Sequence, residues 1–450
     1  MAVAAVILAA GQGTRMRSDL PKVLHPLSGQ PMVLYSIQAA KEATGQTPVL
    51  VIGHAGERIQ QVVGEAALYA VQEPQLGTGH AVQQAQAILA DQADMVLVTL
   101  ADMPLLTAEI LNRMIAMQEA NAGPISMATI TIDDPRGFGR VVRDADGRVT
   151  GIVEEAQANE EQLAIRELNA SIYCFRADWL WQALKRVPLS AKGEYYLTDV
   201  VHLAVADGYS VQALRLEDSS EAIGINTRIH LSEAENLLRQ RINRKWMLEG
   251  VTIVDPATTY IEPAVMIGQD SVIWPNTHLR GNTRVGKGCT LGPNTIIHDS
   301  QVGEGCKIVS SILEQALLED HVDIGPFAHL RKGAHLASGV HMGNFGEVKN
   351  SYLGPGVKMG HFSYIGDATI HKNVNIGAGT ITCNYDGEKK NHTEIGEDVF
   401  IGSDTMLVAP LKIGKGSKTG AGSVVTRDIP DFTLAVGVPA RLIRKLESSD

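Results

Sequence analysis

A glycine turn with two cations close behind it is the first feature of this sequence that could carry chemistry. Gly11-Gln12-Gly13 directly follows an apolar run, and Arg15 and Lys22 come soon after it. Free backbone N–H groups in such a turn, together with an arginine and a lysine, suit the binding of phosphates. The turn is neither a GxGxxG motif, because position 16 is Met, nor a GxxxxGK loop. This pattern alone fits equally an ordinary connecting turn followed by a surface lysine.

A second stretch that could carry chemistry lies in the C-terminal half. The polar run from Cys383 to His392 interrupts a region of regular apolar spacing, and loops on rigid scaffolds often carry function. His361 lies shortly before this run. Histidine has an unperturbed pKa near neutrality, which is what a general base requires.

Alternating apolar and amphipathic stretches indicate the elements that position the glycine turn. Three continuously apolar runs predict buried strands of a parallel sheet, and these are Val3 to Ala9, Val49 to Gly53 and Met95 to Leu100. Helical patterns lie between them over Met32 to Ala43 and His80 to Ala90, with Pro31 at a favourable first helical position. Strands and helices alternating at this spacing predict a doubly wound α/β domain.

Beyond residue 250 an aliphatic residue recurs every six positions. Residues 1–249 hold 17 glycines and residues 250–450 hold 27, so the architecture changes here. Six residues per strand and turn, with three strands per coil, predict a parallel β-helix with stacked aliphatic residues inside. The period resembles the hexapeptide repeat of left-handed β-helix proteins, an exception to right-handed crossovers. The repeat positions are Ile261, Ile267, Ile273, Leu279, Val285, Leu291, Ile324, Leu330, Leu336, Met342, Val348, Leu353, Met359, Ile365, Ile370, Ile376, Ile395, Ile401, Leu407 and Ile413.

Three histidines at this same period raise the question of a metal site. His329, His335 and His341 are spaced by six residues, and hexapeptide folds can bind metal through histidines. In a three-sided coil the residue at i+6 lies on the next face, so we expect the three side chains to point in different directions. A shared zinc site could then form only between subunits, and surface or core histidines are the favoured interpretation.

A single long helix is predicted between the two regions. The stretch from Arg228 to Gly250 lacks proline, and its apolar residues recur along one helical face. These residues are Leu231, Ala234, Leu238, Ile242 and Trp246. We therefore expect an α/β domain over 1–227, a linker helix over 228–249 and a β-helix domain with a C-terminal tail over 250–450.

Composition limits the partners of this chain. Its 450 residues include 39 Lys+Arg and 50 Asp+Glu, for a formal charge of −11. This balance argues against nucleic-acid or membrane-surface binding, although a local basic pocket for a phosphate stays open. No apolar run approaches the ~20 residues of a membrane span. Cys174, Cys289, Cys306 and Cys383 form no CxxC motif, which fits reduced thiols in the cytoplasm and gives no zinc signal.

Several motifs are long enough to be specific to a known family. Gly11-x-Gly13-Thr14-Arg15-Met16 followed by Pro21-Lys22 is similar to the signature of sugar-1-phosphate nucleotidylyltransferases, and Gln75 to Ala81 resembles a uridine-binding loop of that family. Lys358 to Tyr364, Asn375 to Thr380 and Cys383 to Gly387 resemble an acetyltransferase of the hexapeptide type. Nearly the whole chain thus resembles bacterial bifunctional enzymes that join N-acetylglucosamine-1-phosphate uridylyltransferase to glucosamine-1-phosphate N-acetyltransferase.

The resemblance implies a UTP site with a magnesium ion in the N-terminal half. The implied reaction joins a sugar phosphate to the α-phosphate of UTP and expels pyrophosphate, which depends mostly on positioning and electrostatics. Arg15 and Lys22 are the implied catalytic cations, and Asp102 and Asn226 are the implied Mg²⁺ ligands. Without the family, Asp102 also fits a solvated carboxylate that starts the turn before Pro104. The other implied contacts to UTP and the sugar are Leu8, Ala9, Ala10, Gly11, Gln72, Gly77, Thr78, Gly139, Glu154, Asn169 and Asn226.

The same resemblance implies acetyl transfer from acetyl-CoA in the C-terminal half. His361, polarised by Glu347, would take the proton that the attacking amine loses. The N–H of Ala378 would donate to the thioester oxygen as it becomes negative. Arg331 and Lys349, which spacing alone would leave as solvated charges, would bind the sugar phosphate. The other implied contacts, to the amino sugar and coenzyme A, are Tyr364, Asn375, Asn384, Tyr385, Ser403 and Ala421.

The chain departs from the family pattern in three places. Leu100-Ala101-Asp102 stands for the usual Tyr-Gly-Asp, and Asn169-Ala170-Ser171 stands for Asn-Thr-Gly. Val436 to Leu442 lacks an arginine that the family often places against coenzyme A, a position open to Arg441 or Arg444. Because the charged groups of the first site are intact, we expect its chemistry to persist.

The combined prediction is a doubly wound α/β nucleotidyltransferase domain joined by a long helix to a left-handed parallel β-helix. By resemblance, the enzyme would be a cytoplasmic homotrimer that makes UDP-N-acetylglucosamine for cell-envelope polymers from small-molecule substrates. Two other interpretations are a nucleotidylyltransferase whose β-helix only oligomerises or regulates, and a trimeric scaffold or sensor that binds nucleotide sugar without turnover. His361 and the polar loop argue against the first, and the set Arg15, Lys22, Asp102 and Asn226 argues against the second.

Overall fold

The computed structural model describes residues 1–89 and 92–447 of the chain. Two compact units divide between residues 238 and 239, and the division falls inside the helix Arg228–Leu248. The boundaries drawn from the sequence, after 227 and before 250, instead place that helix in a linker of its own. Within the described residues, no helix is long and apolar enough to cross a membrane.

A mixed, mainly parallel sheet of nine strands forms the centre of the first unit. Its main path runs Gln212–Arg215, Ile125–Thr131, Glu167–Arg176, Met95–Leu100, Val3–Leu8, Val49–Ile52 and Leu68–Val71. Neighbours on this path are parallel, except that Glu167–Arg176 runs antiparallel to both of its neighbours. Arg140–Arg143 and Val149–Val153 form an antiparallel pair beside it. The three predicted strands are confirmed to within one residue at each end, and the doubly wound class is confirmed with one antiparallel strand inserted.

Helices pack on both faces of this sheet, since Ile7 belongs to one apolar core and its neighbour Val6 to another. The helices are Met32–Thr44, Gly56–Val63, Thr78–Gln84, Gln86–Leu89, Ala108–Ala120, Glu160–Leu163, Ala177–Leu184 and Asp199–Ala206. Pro31 caps the first of them rather than starting it, because it is extended and pairs with Pro26 in a short ladder. The helix predicted over His80 to Ala90 is two helices broken at Ala85, and Ala90 lies outside the described residues.

A β-bulge interrupts the long antiparallel strand of this sheet. The register of Glu167–Arg176 against Ile125–Thr131 shifts between Asn169 and Tyr173. Ser171 sits in the shift with a φ of 58°, the left-handed region in which glycine carries no penalty. Its N–H donates to the side-chain oxygen of Asn169 at 3.1 Å. Ser171 is one of the residues that depart from the family pattern, and it lies in a backbone conformation that glycine adopts without strain.

The helix Arg228–Leu248 contributes to both apolar cores. Leu231 and Leu238 pack against the core of the first unit, and Ile242 and Trp246 belong to the core of the second. Within the second unit, the buried Asn243 donates to the carbonyl oxygens of Pro256 and Thr259 at 3.0 and 3.1 Å. The predicted apolar face is therefore confirmed: its first half packs in the core of the first unit and its second half in the core of the second.

Three sheets form the second unit, a left-handed parallel β-helix whose coils visit them in turn. The first face contains Thr252–Ile253, Val272–Ile273, Thr290–Leu291, Lys307–Ile308, Asp323–Ile324, His341–Met342, Lys358–Met359, Asn375–Ile376, Phe400–Ile401, Lys418–Thr419, Thr433–Val436 and Arg441–Lys445. The second face contains Tyr260–Ile261, His278–Arg280, Ile296–His298, Ile312–Glu314, His329–Leu330, Gly346–Lys349, Ser363–Gly366, Ile381–Cys383, Met406–Val408 and Val424–Val425. The third face contains Met266–Ile267, Arg284–Val285, Gln301–Val302, Leu317–Leu318, Ala334–Leu336, Ser351–Leu353, Ala368–Ile370, Thr393–Ile395 and Leu411–Ile413.

Close packing between coils explains the six-residue period. Every aliphatic residue of the predicted repeat is buried. At the corners the backbones of successive coils approach so closely that a Cβ on Gly286 would lie 2.6 Å from a backbone carbon of Gly303, and glycine alone fits there. The strand Arg441–Lys445 ends the stack, because it runs antiparallel to Thr433–Val436.

The polar stretch that breaks the period is an excursion from the coil, as predicted. Cys383 still belongs to the strand Ile381–Cys383, so the excursion starts one residue later than the sequence indicates. Tyr385 and Lys390 pair across it in an antiparallel bridge, and the next coil resumes at Thr393.

Replacing Ser171 by glycine is expected to stabilise the first unit. Ser171→Gly should raise the free energy of unfolding by about 1 kcal/mol, because glycine removes the Cβ strain of a positive φ. Urea unfolding followed by circular dichroism measures the change. Ser171→Ala keeps the strain and serves as the matched control, so an equal gain in both variants would contradict this account.

Candidate active sites

A cavity of about 580 Å³ opens at the carboxyl ends of the parallel strands of the first unit. Its walls come largely from segments that follow Val3–Leu8, Leu68–Val71 and Met95–Leu100, because parallel strands end at the same edge of a sheet. The predicted residues that line it are Leu8, Ala9, Ala10, Gly11, Lys22, Gln72, Gly77, Thr78 and Asp102. Of the other lining residues, Gln12 lies in the predicted glycine turn, Gln75 and Ala81 lie in the predicted uridine-binding loop, and the sequence assigned no role to Val23, Leu100, Glu194 and Tyr196.

Side-chain amides hold the loop that precedes helix Thr78–Gln84 against the glycine turn. Gln75 Nε2 donates to Ala10 O at 2.7 Å, and Gln72 Nε2 donates to Gly77 O at 2.8 Å. Gly77 has a φ of 96°, and a Cβ there would lie 2.7 Å from the carbonyl oxygen of Tyr195. The loop therefore requires glycine at this position, and its backbone faces the cavity.

The segment 194–197 completes this wall, and sequence reasoning missed it. Tyr195 N donates to Leu76 O at 2.8 Å, and Gly79 N donates to Tyr195 O at 2.8 Å. Leu197 N donates to Thr78 Oγ1 at 2.9 Å. These contacts are mostly between backbone groups, which any residue type provides. Two adjacent tyrosines after a glycine were the weak signal that the sequence offered.

Four predicted side chains form one charged cluster beside the cavity. Lys22 Nζ makes an ion pair with the Asp102 carboxylate and donates to Asn226 Oδ1 at 3.1 Å. Arg15 Nη2 donates to the same Asn226 oxygen at 3.0 Å. The Lys22 and Asp102 side chains are 15% and 12% exposed. The strand end at Asp102 and the segment before Arg228–Leu248 meet because Ile225 N donates to Asp102 O at 2.9 Å.

The donor set of this cluster fits a hard divalent cation. Asp102 Oδ1 is buried and has no hydrogen-bond partner within the described residues. The side chains of Asp102 and Asn226 lie on either side of Gly224, whose Cβ position is 3.8 Å from Asp102 Oδ1 and 3.9 Å from Asn226 Nδ2. No group of three or more His, Cys, Asp or Glu side chains able to hold a metal occurs in residues 1–89 and 92–447. Two protein oxygens are nonetheless sufficient for Mg²⁺, which usually keeps waters and phosphate oxygens as its remaining ligands.

The predicted sugar contacts form a second cluster next to the segment 194–197. Asn169 N donates to Gly139 O at 2.9 Å, and the Cβ position of Gly139 lies 3.8 Å from Glu154 Cδ. Glu154 accepts a hydrogen bond from Thr198 Oγ1 at 2.9 Å. Burial raises the pKa of Glu154, the Thr198 hydrogen bond opposes the rise, and the charge of Asp199 adds to it.

Tyr173 lies buried beside this second cluster, and no sequence motif pointed to it. Its side chain is 2% exposed, and its hydroxyl has no hydrogen bond of good geometry within the described residues. Burial raises the pKa of the Tyr173 phenol, and the negative charge of Glu154 raises it further.

In the second unit, four predicted residues occupy one edge of the β-helix, between its first and second faces. His361, Ala378, Ser403 and Ala421 lie in the turns of successive coils along this edge, which we call the His361 edge. Neighbouring turns are hydrogen-bonded to one another: Gly379 N to Phe362 O at 2.7 Å, Asp404 N to Ala378 O at 2.6 Å and Gly422 N to Ser403 O at 2.8 Å. The His361 imidazole is exposed at the start of this column.

A cationic cluster lies where the strands of the second face end, at the edge toward the third face. Arg331 Nη1 makes an ion pair with Glu347 Oε1 at 2.9 Å. Lys390, which sequence reasoning missed although it lies in the polar loop, lowers the pKa of Lys349, and the charge of Arg331 lowers it further. Arg331 and Lys349 also line a shallow cavity of about 330 Å³. Glu347 was predicted to polarise His361. In the structure its carboxylate pairs with Arg331 of the preceding coil, and its role toward His361 stays a prediction.

Tyr364 and Asn384 meet over Gly366, whose Cβ position lies 2.7 Å from both Tyr364 Cζ and Asn384 Nδ2. Asp367 fixes the amide, accepting from Asn384 Nδ2 at 2.5 Å. Asn375 lies on the first face between Lys358 and Phe400. Tyr385 is 62% exposed on the excursion loop. The structure therefore brings Tyr364 and Asn384 together, with Tyr385 on the loop directly after Asn384, and places Asn375 on the first face.

The three histidines spaced by six residues lie on three different faces, as predicted. Each pairs with a carboxylate of the preceding coil. The N–O distances are 3.0 Å for His329 and Glu314, 2.9 Å for His335 and Glu319, and 3.2 Å for His341 and Asp323. These pairs connect successive coils, and the imidazoles do not converge within one chain.

Comparison with known proteins identifies both units. A family model described as a MobA-like NTP transferase domain matches residues 5–180. A model of the bacterial transferase hexapeptide, with six repeats, matches residues 264–298 and 392–427.

Curated relatives match almost the entire chain. The bifunctional protein GlmU of Heliobacterium modesticaldum is 46% identical over 433 residues, which cover 96% of this chain and 94% of that protein. The bifunctional protein GlmU of Syntrophomonas wolfei is 47% identical over 438 residues, which cover 97% of each chain. The chain therefore belongs to the family of bifunctional GlmU proteins, with a nucleotidyltransferase domain and a hexapeptide-repeat transferase domain in one polypeptide.

Proposed function

We propose that this enzyme makes UDP-N-acetylglucosamine in two steps. The second unit transfers acetyl from acetyl-CoA to glucosamine-1-phosphate, and the first unit couples the acetylated product to UTP and releases pyrophosphate. The convergence of Arg15, Lys22, Asp102 and Asn226 beside the large cavity carries the proposal for the first unit. A binding protein would need the cavity and its loops, whereas this charged cluster suits the displacement of pyrophosphate.

In the first reaction, a phosphate oxygen of the sugar phosphate attacks the α-phosphorus of UTP, and the bond to pyrophosphate breaks. Arg15 and Lys22 neutralise the triphosphate and the leaving pyrophosphate, an electrostatic contribution that does not require covalent participation of the protein. Gln72, Gly77 and Thr78 hold the uridine through the loop that packs on the glycine turn. The acetylated sugar lies against Gly139, Glu154 and Asn169.

Magnesium belongs to this proposal as the cation that Asp102 and Asn226 would hold. The ion supplies neutralising charge for the phosphates when bound. The buried, unpartnered Asp102 Oδ1 supports this assignment, because such an oxygen is costly unless a ligand or cation satisfies it.

In the second reaction, the amine of glucosamine-1-phosphate attacks the thioester carbonyl carbon of acetyl-CoA. His361 takes the proton from the nitrogen, the carbon–sulfur bond breaks, and coenzyme A leaves as the thiol. The N–H of Ala378, one coil further along the His361 edge, would donate to the carbonyl oxygen as negative charge develops on it. Arg331 and Lys349 bind the sugar phosphate. The remaining proposed contacts are Tyr364, Asn375, Asn384 and Tyr385 for the amino sugar and Ser403 and Ala421 for coenzyme A.

The phosphate role of Lys349 has physical support in its surroundings. Lys390 and Arg331 lower the pKa of Lys349, which shows that positive charges crowd together here. A bound phosphate would relieve this repulsion, whereas a merely solvated surface gains nothing from gathering like charges. We further propose a cytoplasmic homotrimer, the assembly that would place a neighbouring chain against the exposed His361 edge.

Asp102→Asn should lower pyrophosphate release by about 100- to 1000-fold, because it removes the charge that holds the cation while keeping the shape of the side chain. The measurement uses the purified protein with UTP, Mg²⁺ and N-acetylglucosamine-1-phosphate. The same variant should release thiol from acetyl-CoA and glucosamine-1-phosphate at the rate of the wild type. Asp19→Asn, an exposed carboxylate of the same unit, is the matched control. Unchanged pyrophosphate release in Asp102→Asn would show that Asp102 takes no part in the reaction.

His361→Ala should reduce thiol release by about 100- to 10,000-fold, because it removes the general base. Pyrophosphate release from N-acetylglucosamine-1-phosphate and UTP should stay at the level of the wild type. His371→Ala is the matched control, since that histidine lies in the same coil, directly after the strand Ala368–Ile370 of the third face, and pairs with Glu394 at 3.6 Å. A wild-type protein that releases pyrophosphate but never thiol would mean that the β-helix serves as a scaffold or accepts another acyl acceptor.

A further inference from the structure

The charged cluster of the first unit pairs its own cations with its own metal ligands. Lys22 forms an ion pair with Asp102, and the Asn226 oxygen accepts hydrogen bonds from both Lys22 and Arg15. The proposed function, on which this inference rests, gives every one of these groups a different partner: phosphates for the two cations and a divalent cation for the two oxygens. The same groups therefore have two alternative sets of partners, and in the first set Asp102 Oδ1 has no hydrogen-bond partner within the described residues.

Burial explains why the cluster needs partners when no ligand is bound. The side chains of Lys22 and Asp102 are only 15% and 12% exposed. A carboxylate with so little access to water is unfavourable without a cation beside it. Lys22 meets this need without moving its backbone, because its Cα belongs to the short helical turn Lys22–Leu24 and its Cβ packs on Gly13.

We propose that Lys22 is the built-in counter-ion of the metal site, which a divalent cation must displace in order to bind. The ammonium group and the metal compete for the same oxygens of Asp102 and Asn226. Lys22 leaves those oxygens readily only when a triphosphate offers it a new anionic partner. Metal and nucleotide therefore strengthen each other's binding, and the exchange of partners at Lys22 is the physical origin of that coupling.

Binding of Mn²⁺ to the full-length protein, followed by electron paramagnetic resonance with and without UTP, tests the exchange directly. Lys22→Met removes the positive charge and keeps the aliphatic stem that packs on Gly13. In the absence of UTP this variant should bind Mn²⁺ about tenfold or more tightly than the wild type. The strengthening of Mn²⁺ affinity by UTP should shrink by the same factor or more.

Two matched variants separate this effect from a general change in charge. Lys22→Arg keeps a cation at the site and should bind Mn²⁺ alone no more than about twofold differently from the wild type. Arg17→Met removes an exposed positive charge nearby and should also leave the affinity for Mn²⁺ within about twofold. If Lys22→Met does not fold, as judged by circular dichroism, Lys22→Gln replaces it with the same expectation.

The outcomes distinguish this inference from the proposed function. A folded Lys22→Met that binds Mn²⁺ alone no more tightly than the wild type overturns the counter-ion role while leaving the metal site in place. An Asp102→Asn variant that binds Mn²⁺ as tightly as the wild type overturns the metal site itself. Tighter Mn²⁺ binding in Arg17→Met, equal to that in Lys22→Met, would assign the effect to overall charge and would also overturn the role of Lys22.

Discussion

Parallel pairing of strands is the constraint on which both candidate sites depend. Parallel strands end at the same edge of a sheet, so the turns that follow them are neighbours whatever their separation in sequence. In the first unit this places the glycine turn after Val3–Leu8 next to Asp102 after Met95–Leu100. In the β-helix the same rule places His361, Ala378, Ser403 and Ala421 in a column, one coil apart. Each site is therefore a set of turns held in register by a rigid ladder of backbone hydrogen bonds.

The two charged clusters differ in burial. In the first unit Lys22 is largely shielded from water and pairs with the Asp102 carboxylate, whereas Arg15 is exposed and donates to Asn226 Oδ1. In the β-helix, Lys349 is half-buried and lies near Lys390 and Arg331, where water screens part of their repulsion. Burial thus accounts for the ion pair that Lys22 forms with Asp102. In the β-helix, Arg331 is paired with Glu347 at 2.9 Å, while Lys349 and Lys390 lie close enough to repel each other.

Most of the architecture could be predicted because it follows from patterns with a physical period. The six-residue repeat identified the β-helix, since every repeat residue had to be buried, and three apolar runs identified strands to within one residue. The residues that escaped prediction act through contacts without a local signal. The segment 194–197 docks through backbone hydrogen bonds, which carry no sequence signature. The ion pair of Glu347 with Arg331 depends on side-chain rotamers, which the six-residue spacing does not determine.

The geometry of a β-helix also limits what one chain can do at the second site. A three-sided prism is convex along each edge, so side chains on an edge diverge instead of surrounding a ligand. His361 lies on the edge, Asn375 lies on the first face, and Tyr364 with Asn384 lies on the second. Phe362, next to His361, is 55% exposed. A neighbouring chain would convert this convex edge into a cleft, and this requirement is the physical reason for proposing an oligomer in which acetyl transfer takes place between chains.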